Sequence, residues 1–265
     1  MDVISSSKNE RIKNITALQK SKKARTEQGV FVAEGLRLAD DVFRTASKLI
    51  REVYVSESFA GTDELKRLYE SAGDIRVIEP ITVKDSVFES MSETVTPQGI
   101  LCVVSQPVYS LEDMISGPEV RLLILEDIQD PGNLGTMIRT AEAAGMNGIV
   151  MSRGTVDVFS PKVIRSTMGA ALRVPFVYTG DLNATLDELR AKDIAVYAAY
   201  LRNGTDYRKV KFSDRTAILI GNEGNGLSDE AVAHASENVF IPMAGEVESL
   251  NAAVAAAILM YAVKK

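Results

Sequence analysis

A chain of 265 residues, 46% hydrophobic and 25% charged, is long enough for one large globular domain or two ordinary ones. One cysteine, Cys102, and one histidine, His234, exclude a disulfide framework and a cysteine-rich zinc site. They also argue against a histidine metal site or a Ser-His-Asp triad, so no metal is expected. The net charge of −6 speaks weakly against non-specific nucleic-acid binding, though a local basic patch escapes that average.

The start, "MDVISSSKNERIKN", has no apolar core of a signal peptide, and the longest apolar run, "AAVAAAILMYAV", is too short to span a bilayer. A cytoplasmic protein without a membrane segment is expected. "SSKNERIKNITALQKSKKAR" predicts one capped amphipathic helix. Residues 1 to 30 carry seven basic side chains against three acidic ones. Lys8, Arg11, Lys22, Lys23 and Arg25 among them read either as a solvated helix face or as a footprint for a polyanion.

β-rich runs then alternate with helical patterns: "GVFVAEG" and "LRLADDVFRTA", "REVYVSE" and "TDELKRLYESAG", "DIRVIE" and "TVKDSVFESM", closing on "GILCVVSQ". Such alternation predicts an α/β fold with a mostly parallel sheet. Two prolines, a glycine and no sustained period place a linker at 107–119, between domains 1–106 and 120–265. The alternation restarts with "VRLLILED" and a helix on which Leu134, Met137, Ile138 and Ala141 form one buried stripe. "GIVMS", a helix from Ser160 to Ala171, "RVPFVYT", the helix "LNATLDELRAKD", "AVYAAYL", "TAILIG", a short helix from Ser228, "VFIPM" and the apolar final helix follow. His234 falls on a polar helix and reads as a surface residue.

Three apolar strands of the second half end in glycine-bearing loops: "DPGNLG", "GNEGNGLSDE" and "MAGEVESLN". Glycine lets a ligand approach the backbone, and ligands of open α/β sheets sit beyond the carboxyl ends of strands. Three such loops suggest one composite small-ligand site. A Walker loop is absent, since the chain has no Gly-Lys pair, and neither "PGNLGTMI" nor "GNEGNG" makes a dinucleotide fingerprint.

These loops resemble the three motifs of the SpoU/TrmH family of SPOUT RNA ribose 2′-O-methyltransferases. The first motif is matched by Asn133, Gly135, Arg139 and Gly145, the second by Gly221, Glu223, Gly226 and Leu227. The third is matched by Ile241-Pro242-Met243, Gly245 and Ser249-Leu250-Asn251. The resemblance implies a trefoil-knotted C-terminal methyltransferase domain, an exception to unknotted topology. It implies a smaller N-terminal α/β substrate-binding domain similar to a ribosomal-protein module. It also implies S-adenosylmethionine as cofactor, a homodimer, and RNA as partner.

By the same resemblance the backbone near Gly221, Ile241, Met243 and Leu250 holds the cofactor, with Leu201 and the loop Arg202 to Thr205 as the remaining wall. Arg139 is the family's catalytic arginine, expected to reach the partner subunit's site. A guanidinium stays protonated and is a poor general base. Binding of a phosphate or stabilisation of the developing alkoxide suits it better, with a phosphate oxygen or solvent taking the proton. Glu223 would orient Asn133 or Arg139, or else cap a helix or join a dimer salt bridge. Ser249 and Asn251 would hold the ribose or the loop, unless Ser249 only caps the last helix and Asn133 only turns the chain. Lys162 and Arg165, on one predicted helical face, contact RNA phosphates or are solvated. The expected activity is methyl transfer to a ribose 2′-hydroxyl, with 23S-type ribosomal RNA as leading substrate. A tRNA ribose methyltransferase, an antibiotic-resistance enzyme acting on ribosomal RNA, and a non-catalytic RNA-binding or ribosome-assembly protein are the alternatives.

Overall fold

In the computed structural model, which describes residues 3–72 and 78–263, the basic N-terminal stretch forms two helices where one was expected. They are α1 (Glu10–Lys20) and α2 (Lys22–Gln28). Ser21 is the reason: its extended backbone ends α1, and its hydroxyl accepts from the Ala24 N–H to start α2.

After them come β1 (Val30–Glu34), α3 (Leu36–Thr45), β2 (Ile50–Ser56), α4 (Asp63–Ser71), β3 (Ile81–Val83), α5 (Asp85–Met91) and β4 (Ile100–Ser105). Of the strand expected in "DIRVIE", Asp74 to Val77 lie outside the described residues. β3 opens the stretch expected as a helix, and α5 fills only its second half. The sheet order is β1-β4-β2-β3, and it corrects the expectation of a mostly parallel sheet here. β2 pairs β3 in parallel, but β4 runs antiparallel to both β1 and β2. A buried carboxylate accompanies this arrangement. Glu34, at the end of β1, accepts from the N–H groups of Glu93 and Thr94 at 3.0 and 3.2 Å and from the Thr94 hydroxyl at 2.6 Å. That pins the loop entering β4 to the far end of β1, in keeping with two strands of opposite sense. Ile15, Leu18, Tyr54, Phe88 and Leu101 lie at the centre of the core.

The remaining elements are α6 (Leu111–Ile115), β5 (Val120–Leu125), α7 (Pro131–Ala144), β6 (Gly148–Ser152), α8 (Pro161–Thr167), β7 (Phe176–Thr179), α9 (Leu182–Ala191), β8 (Ala195–Ala199), β9 (Thr205–Asp206), β10 (Arg215–Ile220), α10 (Asp229–Ala233), β11 (Glu237–Phe240) and α11 (Ala252–Ala262). Their seven-stranded sheet, β7-β6-β5-β10-β8-β11-β9, is parallel throughout. β5 and β10 are buried along almost their whole length, as strands covered on both faces must be.

The chain divides into two compact units, Met1–Val108 with Asp157–Leu172, and Tyr109–Val156 with Arg173–Lys265. Two sequence expectations change accordingly. The stretch 107–119 is no free linker: Met114 and Ile115 of α6 are buried in the core of the second unit with Leu122, Ile124 and Leu189. The segment around α8 belongs to the first unit, where Phe159 stacks on Phe31 with ring centroids 5.0 Å apart. The helix expected from Ser160 to Ala171 stops at Thr167, because Met168 and Gly169 take positive φ.

Candidate cofactor cleft and active site

In the second unit β5 and β10 pair in register to their last residues, Leu125 beside Ile220, so the loops following them leave the same edge of the sheet. β10 lies between β5 and β8, where the direction of strand order reverses, the place at which open α/β sheets form a crevice. The loop after β10 folds back on itself through paired hydrogen bonds between the backbones of Asn222 and Gly226, both 3.0 Å. A Cβ at Gly221 would sit 2.2 Å from the carbonyl carbon of Gly226, so only glycine permits that return.

The loop after β10, the end of β11 with the residues that follow it, and the stretch before α11 bound a cleft of about 910 Å³, at the upper end of ordinary small-molecule sites. Leu201, Gly221, Ile241, Met243, Ser249 and Leu250 all line it, with Glu223 at one side. Of the predicted wall from Leu201 to Thr205, Leu201 alone takes part; residues 202–205 do not line the cleft. Among the described residues the backbone of Met243 to Glu248 makes no hydrogen bond. Its donors and acceptors are free to read the edge of a heteroaromatic ring held between aliphatic side chains.

Beside the cleft the three motif loops are tied together by one chain of hydrogen bonds. Asp130 caps α7 by accepting from the Asn133 N–H at 2.8 Å, which leaves the Asn133 side chain for other work. The Asn133 amide donates to Glu223 Oε1 at 3.0 Å, and Asn133 Oδ1 accepts from Asn251 Nδ2 at 2.9 Å. Glu223 also accepts the N–H groups of Gln129 and Asp130, both at 3.0 Å. Burial raises the pKa of Glu223, but the Asn133 amide and those two N–H groups outweigh it and hold the carboxyl below its ordinary 4.5. Asn251 Oδ1 in turn accepts from the N–H groups of Ala253 and Val254. Asn251, not Ser249, therefore caps the last helix, and Asn133 is more than a turn residue.

Arg139 is not part of this cluster. It lies six residues beyond Asn133 on α7, about 9 Å along the axis and round on another face, exposed to solvent. Three supporting residues escaped the sequence reading. Glu126 accepts from the Ser228 N–H at 2.9 Å and hydroxyl at 2.6 Å. Asn222 donates to the Asp127 carbonyl at 2.7 Å and accepts from the N–H groups of Gly224 and Asn225. Gln129 donates to the carbonyls of Asp127 and Gly154. The signal for Asn222 was present, because an asparagine just before "EGNG" bonds the backbone two residues on; the Glu126 contact is non-local and left none.

Among the candidate RNA contacts, Lys8, Arg11, Lys22, Lys23 and Lys162 are exposed. Arg25 is not: it is 4% exposed. It donates to Asp157 Oδ2 at 3.0 and 2.6 Å and to the carbonyls of Leu18 and Gln19, so its guanidinium is spent within the first unit. Arg165, three residues on along α8, is half-buried, with one terminal nitrogen shielded from solvent.

The sequence profile of the SpoU rRNA Methylase family matches residues 121–261, all three loops included, and that of the MRM3-like substrate binding domain matches residues 9–102. The chain belongs to the SpoU rRNA methylase family. It is 34% identical to the 23S rRNA (guanosine(2553)-2′-O)-methyltransferase RlmP of Bacillus subtilis, over 98% of each chain. An AdoMet-bound rRNA methyltransferase from Sinorhizobium meliloti superposes with a TM-score of 0.84 at 30% identity, covering 99% of this chain and 97% of the other. The SpoU methyltransferase AviRb from Streptomyces viridochromogenes, in complex with AdoMet, superposes with a TM-score of 0.85 at 26% identity, over 97% of each chain. This family member is thus a methyltransferase whose cofactor is S-adenosylmethionine, and the cleft beside Glu223 has the size and lining to take it.

Proposed function

We propose that the protein methylates a ribose 2′-hydroxyl of 23S-type ribosomal RNA, working as a homodimer in the cytoplasm. The observation that carries this reading is the meeting of the three motif loops: the Glu223–Asn133–Asn251 chain stands at the edge of a cleft lined by Gly221, Ile241, Met243 and Leu250. S-adenosylmethionine, when bound there, supplies an electrophilic methyl carbon on a sulfonium. The methyl group would pass to the ribose oxygen with the thioether as leaving group, and the hydroxyl proton to a phosphate oxygen or water. Arg139 holds the phosphate beside the target ribose and stabilises the alkoxide as charge develops. Glu223 orients Asn133, while Asn251 and Ser249 position the ribose at the mouth of α11.

Two features support a dimer. Arg139 points to solvent rather than into the cleft of its own chain. On α11, which packs on α7, Val254 and Tyr261 recur seven residues apart and are 48% and 50% exposed. The placement of β10 between β5 and β8, with α11 returning to α7, supports a threaded, knotted C-terminal segment. Lys8, Arg11, Lys22, Lys23 and Lys162, all of the first unit, contact RNA phosphates. No helix among the described residues is long and apolar enough to cross a membrane.

The test is methyl transfer from labelled S-adenosylmethionine to total RNA from cells lacking this protein, mapped by ribose-methylation sequencing. One labelled 2′-O position in 23S ribosomal RNA is expected. A label in tRNA would move the substrate class, and no label in free RNA or in precursor ribosomal particles would overturn the catalytic reading.

A further inference from the structure

The stretch "LRNGTDYRKVKF", Leu201 to Phe212, carries four cations against one carboxylate in a chain whose net charge is −6. It belongs to none of the three motif loops. The lone carboxylate is already taken: Asp206 binds the guanidinium of Arg208 at 2.6 Å. Arg202, Lys209 and Lys211 are exposed; among the described residues none of them makes a direct ion pair, and Lys209 only acts on Asp206 at longer range.

The segment is also held in place. The Gly204 N–H bonds the Leu201 carbonyl at 3.3 Å, and a Cβ at Gly204 would sit 2.6 Å from the carbonyl oxygen of Tyr200. The Arg202 carbonyl accepts from Asn238 Nδ2 at 3.2 Å, β9 pairs with β11, and Phe212 packs edge-on against Tyr197 at 4.9 Å. At one end the segment starts from Leu201, a lining residue of the cleft. Through β9 it is fastened to β11, whose next residues, Ile241 to Met243, also line the cleft. A rigid, cation-rich segment therefore leads away from the edge of the cleft at Leu201.

We propose that Arg202, Lys209 and Lys211 form a docking surface for the sugar-phosphate backbone of the RNA flanking the target nucleotide. This inference rests on the RNA methyltransferase reading above. The surface positions the substrate without reading its sequence, because guanidinium and ammonium groups on phosphate carry no base information. It lies on the methyltransferase unit itself, apart from the basic N-terminal helices.

The test compares the full-length wild type with R202Q/K209Q/K211Q, using protein-free ribosomal RNA from cells lacking the protein and S-adenosylmethionine as separate ligands. RNA affinity at physiological salt should fall at least about ten-fold, and the slope of log K against log salt should shrink by about 2 to 3. S-adenosylmethionine binding should be unchanged, which also shows that the variant folds. R202K/K209R/K211R should restore both RNA measures. The control K66Q/K192Q removes cations that already pair with Asp63 and Glu188 and should leave the slope alone. If the triple variant keeps affinity and slope while the wild type methylates RNA, the docking surface is overturned and the activity stands. An equal loss in the control would also overturn it, since total charge alone would then explain the effect. Failure of the wild type to bind or methylate RNA would sink both readings.

Discussion

Glu223 is the residue on which the three loops depend. With its oxygens it satisfies two backbone N–H groups ahead of α7 and fixes the orientation of Asn133. A glutamine there keeps one oxygen acceptor but turns its amide against one of those N–H groups. Glu223→Gln should weaken S-adenosylmethionine binding about ten-fold, roughly 1.4 kcal/mol, read by calorimetry. Because the folded-state pKa of Glu223 lies below its ordinary 4.5, the carboxylate's contribution to stability is fully present above that value. It is lost as pH falls through the lower folded value. The difference in thermal midpoint between wild type and Glu223→Gln should therefore stay constant above about pH 5.5 and shrink only in acid; a difference that vanished near neutrality would contradict this. Cys102 is the opposite kind of residue: fully buried in β4, its thiol is pushed up to about 12 by desolvation. It should ignore a disulfide reagent at pH 8 in the native chain and react once the chain is unfolded, whereas rapid native labelling would mean that β4 opens.

Among the elements, the clamp of α2 on the segment before α8 has the largest expected effect on stability. Arg25 and Asp157 have side chains 5% and 13% exposed, so removing one partner leaves a buried charge uncompensated. Arg25→Met should cost about 3–5 kcal/mol in urea unfolding, and Asp157→Asn on that background should cost much less than it does alone. The result would separate Arg25 from the exposed cations Lys22 and Lys23 on the same helix. Most elements were legible from hydrophobic period and capping residues: Asp130 before α7, Ser228 before α10 and Asp181 before α9 all accept from the first turn as their residue types predict. Strand direction was not, since a β4 that runs antiparallel has the same residue pattern as one that runs parallel. The break at Ser21 was also hidden, because helical periodicity continues across it.

For the molecule as a whole, the position of Arg139 makes a strong demand. If each cleft is completed by the arginine of the other subunit, Arg139→Ala should abolish methyl transfer, by at least about a hundred-fold, while sparing S-adenosylmethionine binding. Leu250→Arg should do the reverse, blocking the cleft. Mixing the two inactive proteins under conditions of subunit exchange should then restore activity to about a quarter of wild type, since half the dimers are mixed and each has one intact site. Mixtures that remain inactive despite exchange would place Arg139 in its own chain's site.

The α/β class, the three glycine loops and several residues of the cleft, Leu201, Gly221, Ile241, Met243 and Leu250, were legible in the sequence. Those features rest on local chemistry, namely the period of apolar residues, caps, and glycines where backbone must turn or be approached. Which cations stay exposed was settled by the fold. Arg25 and Lys22 look alike in sequence, yet one is consumed by Asp157, 132 residues away, and the other stays on the surface. The same holds for the Glu223–Asn133–Asn251 chain, whose members are 90 and 118 residues apart. Hydrogen bonds and burial act over a few ångströms in space, and a single sequence carries no record of which distant residues the fold will bring within that reach.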